Sequence, residues 1–145
     1  MIEVEIHQHF SAPPATVFAA VTDHKRIEEW QKGTRVTIET PGVPAPNGLG
    51  AVRKISTGPM SVYEEVVRWE EPHEMDYRLI RGLPLHDHLG EIRFKPTPEG
   101  GTLVEYRIRY RVPWYAGGSV VSRLIGRQLQ RVIGAALAKL ASELR

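Results

Sequence analysis

The stretch GSVVSRLIGRQLQRVIGAALAKLASELR, residues 118–145, has the periodicity of one long amphipathic helix. On a helical wheel, the arginines at 123, 127 and 131 lie on one side. A helix of ~27 residues is roughly 40 Å long, so it must cross several strands to bury its apolar arc. A helix held in the curve of a sheet tends to leave a hollow, and small ligands bind in hollows of this kind. The apolar arc consists of Val121, Ile125, Leu129, Val132, Ile133, Ala136, Leu137 and Leu140.

Length and composition exclude several classes of protein. The 145 residues are enough for one domain with a single core, which we expect to span residues 1–145. The net charge of +2 does not indicate a nucleic-acid partner. No apolar run approaches the ~20 residues of an integral membrane segment, and the chain starts with a strand pattern rather than an apolar signal segment, which predicts a cytoplasmic location. The absence of cysteine excludes disulfides, thiolate nucleophiles and cysteine-held metals.

The residues before the long helix are mostly of strand type. Ile2, Val4 and Ile6 alternate with polar residues in a half-buried strand, and Pro13-Pro14 predicts the start of a helix. A second short helix follows from Asp23 to Gly33, and six strands are predicted near 34–40, 49–57, 61–70, 74–82, 87–96 and 102–113. The order β-α-α-β-β-β-β-β-β-α predicts an α+β fold with an antiparallel sheet and the helices on one face.

Four turns predict how the strands pair, because the position of a turn fixes which residues face each other. The turns are centred on Gly58-Pro59, Glu71-Pro72, Pro84-Leu85 and Glu99. Every predicted pairing keeps the apolar row on one face of the sheet. The predicted pairs include Arg53–Glu64, Ile55–Val62, Val66–Tyr77, Glu64–Leu79, Arg68–Met75, Tyr77–Ile92, Arg81–His88, Ile92–Tyr106, Phe94–Val104 and His88–Tyr110.

The same register places polar side chains among the apolar ones on the inner face. An apolar hollow with a few converging polar groups is typical of a small-molecule site. The loops 41–50 and 82–87 are predicted to gate it. The predicted ligand-binding residues are Trp30, Arg53, Glu64, Tyr77, Arg81, His88, Tyr106 and Tyr110.

Several local motifs resemble one protein family. They are Phe10-Ser-Ala-Pro-Pro14 with Val17-Phe18, Gly48-Leu-Gly-Ala-Val-Arg53, Trp69-Glu-Glu-Pro72, Tyr77-Arg78 and Gly100-Gly-Thr102. They resemble the polyketide cyclase/dehydrase-type proteins of the START-like superfamily over nearly the whole chain. The resemblance implies a helix-grip fold, in which a curved seven-stranded antiparallel sheet wraps around a C-terminal helix with a cavity between them. It does not imply one chemistry, because the fold serves cyclases, lipid carriers and hormone receptors.

Three functions therefore stay open. The first is binding of a small hydrophobic molecule, aromatic, polyketide or lipid-like, without a cofactor. The second is a cyclase or dehydratase in which His88 and Tyr110 are catalytic and move protons on a poly-carbonyl substrate. The third is a lipid carrier or interaction module that works through the basic helix face. A homodimer is compatible with all three.

Two features have a purely structural interpretation as well. Arg53 opposite Glu64 orients a ligand group, or it is an ion pair that satisfies itself inside the sheet. The spacing of His86 with His88, and of His7 with His9, would suit a metal, but neither pair has an evident third ligand, so we expect no metal site.

Overall fold

A computed structural model describes residues 1–145. Its strands are β1 (Ile2–Phe10), β2 (Thr34–Thr40), β3 (Val52–Thr57), β4 (Met60–Glu70), β5 (Glu74–Arg81), β6 (His86–Pro96) and β7 (Thr102–Arg111). The helices are α1 (Pro14–Val21) and α2 (Gly118–Glu143), with short 3₁₀ helices at His24–Glu29 and Trp114–Ala116.

All seven strands form one curved antiparallel sheet in the order β1-β7-β6-β5-β4-β3-β2. The six strands β2 to β7 follow one another as a meander, and β1 joins the far side of β7. The long helix α2 packs on the inner face. The predicted α+β helix-grip fold and the predicted order of elements are confirmed.

The predicted register is confirmed for most of the meander. Arg53 pairs with Glu64, Ile55 with Val62, and Val66 with Tyr77. Between β6 and β7, Ile92 pairs with Tyr106 and Phe94 with Val104. Because alternation of side chains has a period of two, these pairs place the inner row of residues facing α2.

Between β5 and β6 the predicted register is wrong by two residues. Tyr77 pairs with Gly90 rather than Ile92, and Met75 pairs with Ile92. An even shift leaves each side chain on its predicted face, so the apolar pattern alone did not reveal it. Glycine at position 90 makes the pairing possible, since a Cβ there would lie 2.3 Å from Cζ of Tyr77.

Irregularities in the ladders account for three further errors. The pairing slips between Val66 and Arg68, so Arg68 faces Asp76 instead of Met75. A second slip sets Arg81 opposite Tyr63. The two-residue shift between β5 and β6 already excludes the predicted Arg81–His88 pair, and a third slip, between His86 and Leu89, removes the predicted His88–Tyr110 pair. Each slip inserts an extra residue on one strand, which redirects the side chains beyond it.

The core is densely filled at the end of the sheet that α1 covers. Phe18 contacts the rings of Trp69 and Phe94 edge-on, with centroids 4.9 Å and 5.0 Å away. The second half of α2 adds the buried Leu137 and Leu140. Edge-to-face aromatic packing of this kind contributes about 0.5–1.5 kcal/mol per pair beyond burial of the rings.

Candidate functional site

A cavity of about 230 Å³ lies between the inner face of the sheet and the middle of α2. Strands β3, β4, β5, β6 and β7 form its floor, the 82–85 loop borders it, and α2 covers it. Most of the wall is apolar, and the polar side chains are concentrated on the sheet. The lining residues are Ile27, Trp30, Arg53, Ile55, Val62, Glu64, Tyr77, Leu79, Leu83, Leu85, His88, Tyr106, Tyr110, Ile125, Leu129, Val132 and Ile133.

An ion pair joins neighbouring strands at the cavity floor. Nε and Nη2 of Arg53 donate to Oε1 of Glu64 at 3.0 Å and 2.8 Å, and the Arg53 guanidinium lies 4.4 Å from the centroid of the Tyr77 ring. Only 4% of Arg53 is exposed. Both bonds use the same carboxylate oxygen, so Oε2 of Glu64 has no hydrogen-bond partner in the protein. A ligand in the cavity would find this oxygen as an acceptor.

His24 contacts the third nitrogen of the Arg53 guanidinium. Its ring Nδ1 lies 2.9 Å from Nη1 of Arg53, and Nε2 lies 3.0 Å from the backbone oxygen of Asn47. A guanidinium only donates and a carbonyl only accepts, so His24 is the neutral tautomer with its proton on Nε2. Burial, aided by the charge of Arg53, lowers the pKa of His24 from 6.5 to about 3. His24 therefore stays neutral at physiological pH and holds the guanidinium in place.

His24 was not among the residues predicted from the sequence to belong to the site. Its ring lies 29 residues from Arg53 along the chain and its two partners come from a strand and a loop. Only its position after Asp23, at the start of a short helix, was visible in the sequence. The loop that holds it, 41–50, was predicted to gate the cavity. That prediction is wrong, because no residue of this loop lines the cavity.

Two tyrosines on the floor bond to each other. The hydroxyl oxygens of Tyr77 and Tyr106 are 2.5 Å apart, and both side chains are buried. Burial raises the pKa of Tyr106 to about 12 and raises the pKa of Tyr77 as well. Neither group ionises near neutral pH, so both offer hydroxyls rather than phenolates to the cavity.

His88 presents a hydrogen-bond donor to the cavity. The backbone N–H of Leu79 donates to its Nδ1 at 2.9 Å, so the neutral ring carries its proton on Nε2. Burial lowers the pKa of His88 and outweighs the opposing effect of the Glu64 carboxylate, and the charge of Arg53 lowers the pKa further, so the neutral form is dominant. The predicted His88–Tyr110 contact is not formed, because the hydroxyl of Tyr110 donates to the backbone oxygen of Ser122 at 2.7 Å. Both residues thus line the cavity without a hydrogen bond between them.

Seven of the eight predicted ligand-binding residues line this cavity, and the placement predicted for Arg81 is wrong. Arg81 is exposed and its guanidinium stacks on the ring of Tyr63, 3.9 Å from the centroid. The irregularity between Tyr63 and Glu64 moves Arg81 to the outer face. The seven that line the cavity are Trp30, Arg53, Glu64, Tyr77, His88, Tyr106 and Tyr110.

Of the four histidines in the two pairs, only His88 lines the cavity. His86 is exposed on β6, and only His88 of that pair lines the cavity. On the outer face His7 lies 3.0 Å from Glu5 and 3.8 Å from Glu105, carboxylates that the sequence analysis did not associate with it. Lys95 and Arg107 already pair with these two carboxylates, so the group belongs to a network of surface ion pairs.

Comparison with known proteins agrees with this architecture. A family model described as "Polyketide cyclase / dehydrase and lipid transport" matches residues 1–145. No match was found among curated proteins. The structure contains no helix with the length and apolar character that a membrane span requires.

Solved structures share the fold at low sequence identity. A START superfamily protein from Mycobacterium smegmatis superposes with a TM-score of 0.78 at 16% identity, covering 99% of both chains. Norcoclaurine synthase from Thalictrum flavum, in complex with dopamine and hydroxybenzaldehyde, gives 0.74 at 16% identity over 99% of this chain and 88% of that one. The Aha1 dimer from Colwellia psychrerythraea gives 0.68 at 12% identity over 99% and 96%. At these identities the likeness concerns the fold, and a homodimer of this chain stays a prediction.

Proposed function

Because the chain belongs to the polyketide cyclase/dehydrase and lipid transport family, we propose that it binds a small, neutral, ring-containing molecule in the cavity beneath α2. The observation that carries the proposal is the pair of unused hydrogen-bonding atoms at the floor of an apolar chamber. Oε2 of Glu64 accepts, and Nε2–H of His88 donates. A phenol or enol hydroxyl satisfies both, since it donates one hydrogen bond and accepts another.

The volume supports a ligand of one or two rings. A cavity of roughly 150 Å³ holds benzene, and this cavity measures about 230 Å³. Drug-sized ligands occupy sites of roughly 300–1,000 Å³. A long acyl chain or an extended poly-carbonyl chain is too large for the chamber, so a compact aromatic or cyclic ligand is favoured over the lipid and long polyketide alternatives.

Charge supports a neutral ligand. The guanidinium of Arg53 is already neutralised by Glu64, and His24 and His88 are both neutral. A ligand carboxylate would approach the free oxygen of Glu64 and would not gain a free cation in return. Like charges about 4 Å apart repel by several kcal/mol in a partly buried site.

The structure favours binding over proton transfer by His88 and Tyr110. Nδ1 of His88 already accepts a backbone N–H, and Nε2 carries the ring proton, so neither nitrogen is free to act as a base. The hydroxyl of Tyr110 donates to Ser122. In a cyclase or dehydratase that used this cavity, Glu64 would be the group left to accept a proton.

Calorimetric titration with 1-naphthol and 1-naphthoate tests the proposal. We expect saturable 1:1 binding of 1-naphthol, at least tenfold tighter than that of 1-naphthoate. An Ile125→Trp variant should lose at least tenfold in affinity for 1-naphthol, because the larger side chain fills the chamber. Ile80→Trp is the matched control, since Ile80 is exposed and lies outside the cavity.

Two results would contradict the proposal. One is equal or tighter binding of 1-naphthoate, which would make the floor an anion receptor. The other is unchanged affinity of Ile125→Trp for 1-naphthol while its circular dichroism and thermal midpoint match those of the wild type, which would place the ligand elsewhere.

A further inference from the structure

Four large apolar side chains are exposed close together where α2 begins. Trp114 is 86% exposed, Tyr115 66%, Val120 67% and Leu124 59%. We call Trp114, Tyr115, Val120 and Leu124 the apolar corner. Scattered exposed apolar residues are normal, but a contiguous group marks a surface that contacts another body.

The solvent face of α2 continues this corner with positive charge. At about 100° per residue, Val120 and Leu124 lie on the same side of the helix as Arg127 and Arg131, with Arg123 next to them. All three arginines are exposed and none forms an ion pair, whereas the arginines of β6 and β7 are all paired. Residues 118–142 contain no acidic residue. This face therefore has uncompensated positive charge along its length.

We propose that the apolar corner and the arginines 123, 127 and 131 dock the protein on the surface of an anionic lipid bilayer. Tryptophan and tyrosine are enriched at the membrane–water interface, where an apolar ring and a polar edge are both satisfied. Arginines beside such rings are attracted to anionic headgroups. The three arginines border a shallow groove between α2 and β1, where headgroups have room to approach. The one carboxylate in this groove, that of Glu3, is already paired with Arg107.

Charge complementarity favours a bilayer over a second copy of the chain. A two-fold contact through this face would set the arginine stripe of one copy against the stripe of the other, and like charges in contact are repulsive. An anionic surface satisfies the apolar corner and the arginines together.

The docking face lies next to the cavity, although the proposal does not depend on the proposed ligand. His86 pairs with Arg111, which brings the 82–85 loop and the 112–117 segment to the same end of the sheet. Leu83 and Leu85 line the cavity at this end, and Ile125 points into it one residue after Leu124. When the protein is docked, this end of the cavity would therefore lie at the bilayer surface.

Vesicle flotation tests the docking directly. We expect the wild type to bind vesicles made of equal parts phosphatidylglycerol and phosphatidylcholine, and to bind pure phosphatidylcholine at least tenfold more weakly. Arg123→Gln with Arg127→Gln should lower partitioning about 10- to 30-fold, as expected for two arginines at an anionic surface. Lys32→Gln with Arg35→Gln, which changes the net charge equally on another surface, should change it less than about twofold.

A second pair of variants tests the apolar part of the contact. Leu124→Gln should weaken binding severalfold, and Met60→Gln should not, because Met60 is similarly exposed (55% against 59%) but lies on β4. The emission of Trp114 should shift to shorter wavelength on vesicles, and Trp114→Phe should remove the shift.

Four results would overturn the proposal. The first is no partitioning to anionic vesicles. The second is an equal loss in both arginine and control variants. The third is partitioning without a Trp114 shift or any effect of Leu124→Gln, which would indicate electrostatic adsorption only. The fourth is self-association in sedimentation that Leu124→Gln abolishes, without vesicle binding, which would make the face an interface between copies.

Discussion

The space between the sheet and the helices has two ends, which are bordered by the same sheet and the same long helix. Side chains fill one end, and a cavity remains at the other. At the α1 end, Phe18 fills the space between Trp69 and Phe94, and Leu137 of α2 belongs to the same buried cluster. At the other end, large polar side chains bond to each other along the sheet and leave space below α2. We call these the closed end and the open end.

The difference lies in where the polar groups find their partners. At the open end, Arg53 bonds Glu64 and His24, and Tyr77 bonds Tyr106, so each side chain lies against the sheet instead of reaching toward the helix. Apolar side chains at these positions would form no such hydrogen bonds, so we expect that they would pack against Ile125 and Leu129 and fill the space. A polar floor whose groups are bonded to each other therefore preserves a void that apolar packing would fill.

The largest expected effect comes from removing the cation of the floor. Arg53→Met leaves the carboxylate of Glu64 buried without its partner and should lower the free energy of unfolding by about 3–5 kcal/mol. Arg78→Met, at an exposed Arg78–Glu65 pair on the outer face, should cost less than about 1 kcal/mol. Urea denaturation measures both.

A double variant sharpens this result. Arg53→Met combined with Glu64→Leu removes both charges, so it should recover most of the loss. Equal costs for Arg53→Met and Arg78→Met would contradict the view that the floor is a desolvated ion pair.

The pH dependence of stability tests His24. Its pKa falls from 6.5 in the unfolded chain to about 3 in the folded protein, so between these values the unfolded state binds more protons. The stability is fully present above pH 6.5 and falls as the pH decreases, by up to about 1.4 kcal/mol per pH unit. His88, whose pKa is also lowered, acts in the same direction.

Urea denaturation between pH 7 and pH 5 isolates the histidines, because the lowered pKa values of Glu28, Glu74 and Glu105 act below about pH 4.5. His24→Gln should flatten the slope in this range, and His9→Gln, at an exposed strand end, should not. An unchanged slope in His24→Gln would show that the ring is not buried as the neutral form.

A smaller effect is expected from two glycine positions. Gly90→Ala forces Cβ against the ring of Tyr77, which lies across it at the floor, and should cost about 1–3 kcal/mol. Gly134→Ala on α2 meets no atom within 4 Å and should stabilise the helix by about 0.5–1 kcal/mol. Thermal unfolding distinguishes a loss from a gain, and a gain at Gly90 would mean that Tyr77 does not lie flat on the sheet.

Much of the open end was predictable from local patterns. Strand alternation and turn positions were sufficient to oppose Arg53 to Glu64 and to send Tyr77 and Tyr106 to the inner face. The two-residue shift at β5 and β6 escaped detection because it preserves the faces. Arg81 points outward because of an irregularity in the β4–β5 ladder. That irregularity depends on how the two backbones pair, and the residue types alone do not reveal it.

His24 could not be predicted for a different reason. Its partners are Arg53 on β3 and a carbonyl in the 41–50 loop, so its role exists only once three distant segments are in contact. The size of the cavity likewise depends on how closely the sheet and α2 approach each other. The periodicity of the sequence does not predict that distance.

A crystal structure of the complex with 1-naphthol tests the central claim most directly, namely that a polar floor keeps an apolar chamber open for a neutral ligand. The account predicts the rings between Tyr77 and Leu129, with the hydroxyl within hydrogen-bond distance of Oε2 of Glu64 and Nε2 of His88. A chamber filled by its own side chains, with 1-naphthol bound elsewhere on the protein, would contradict it.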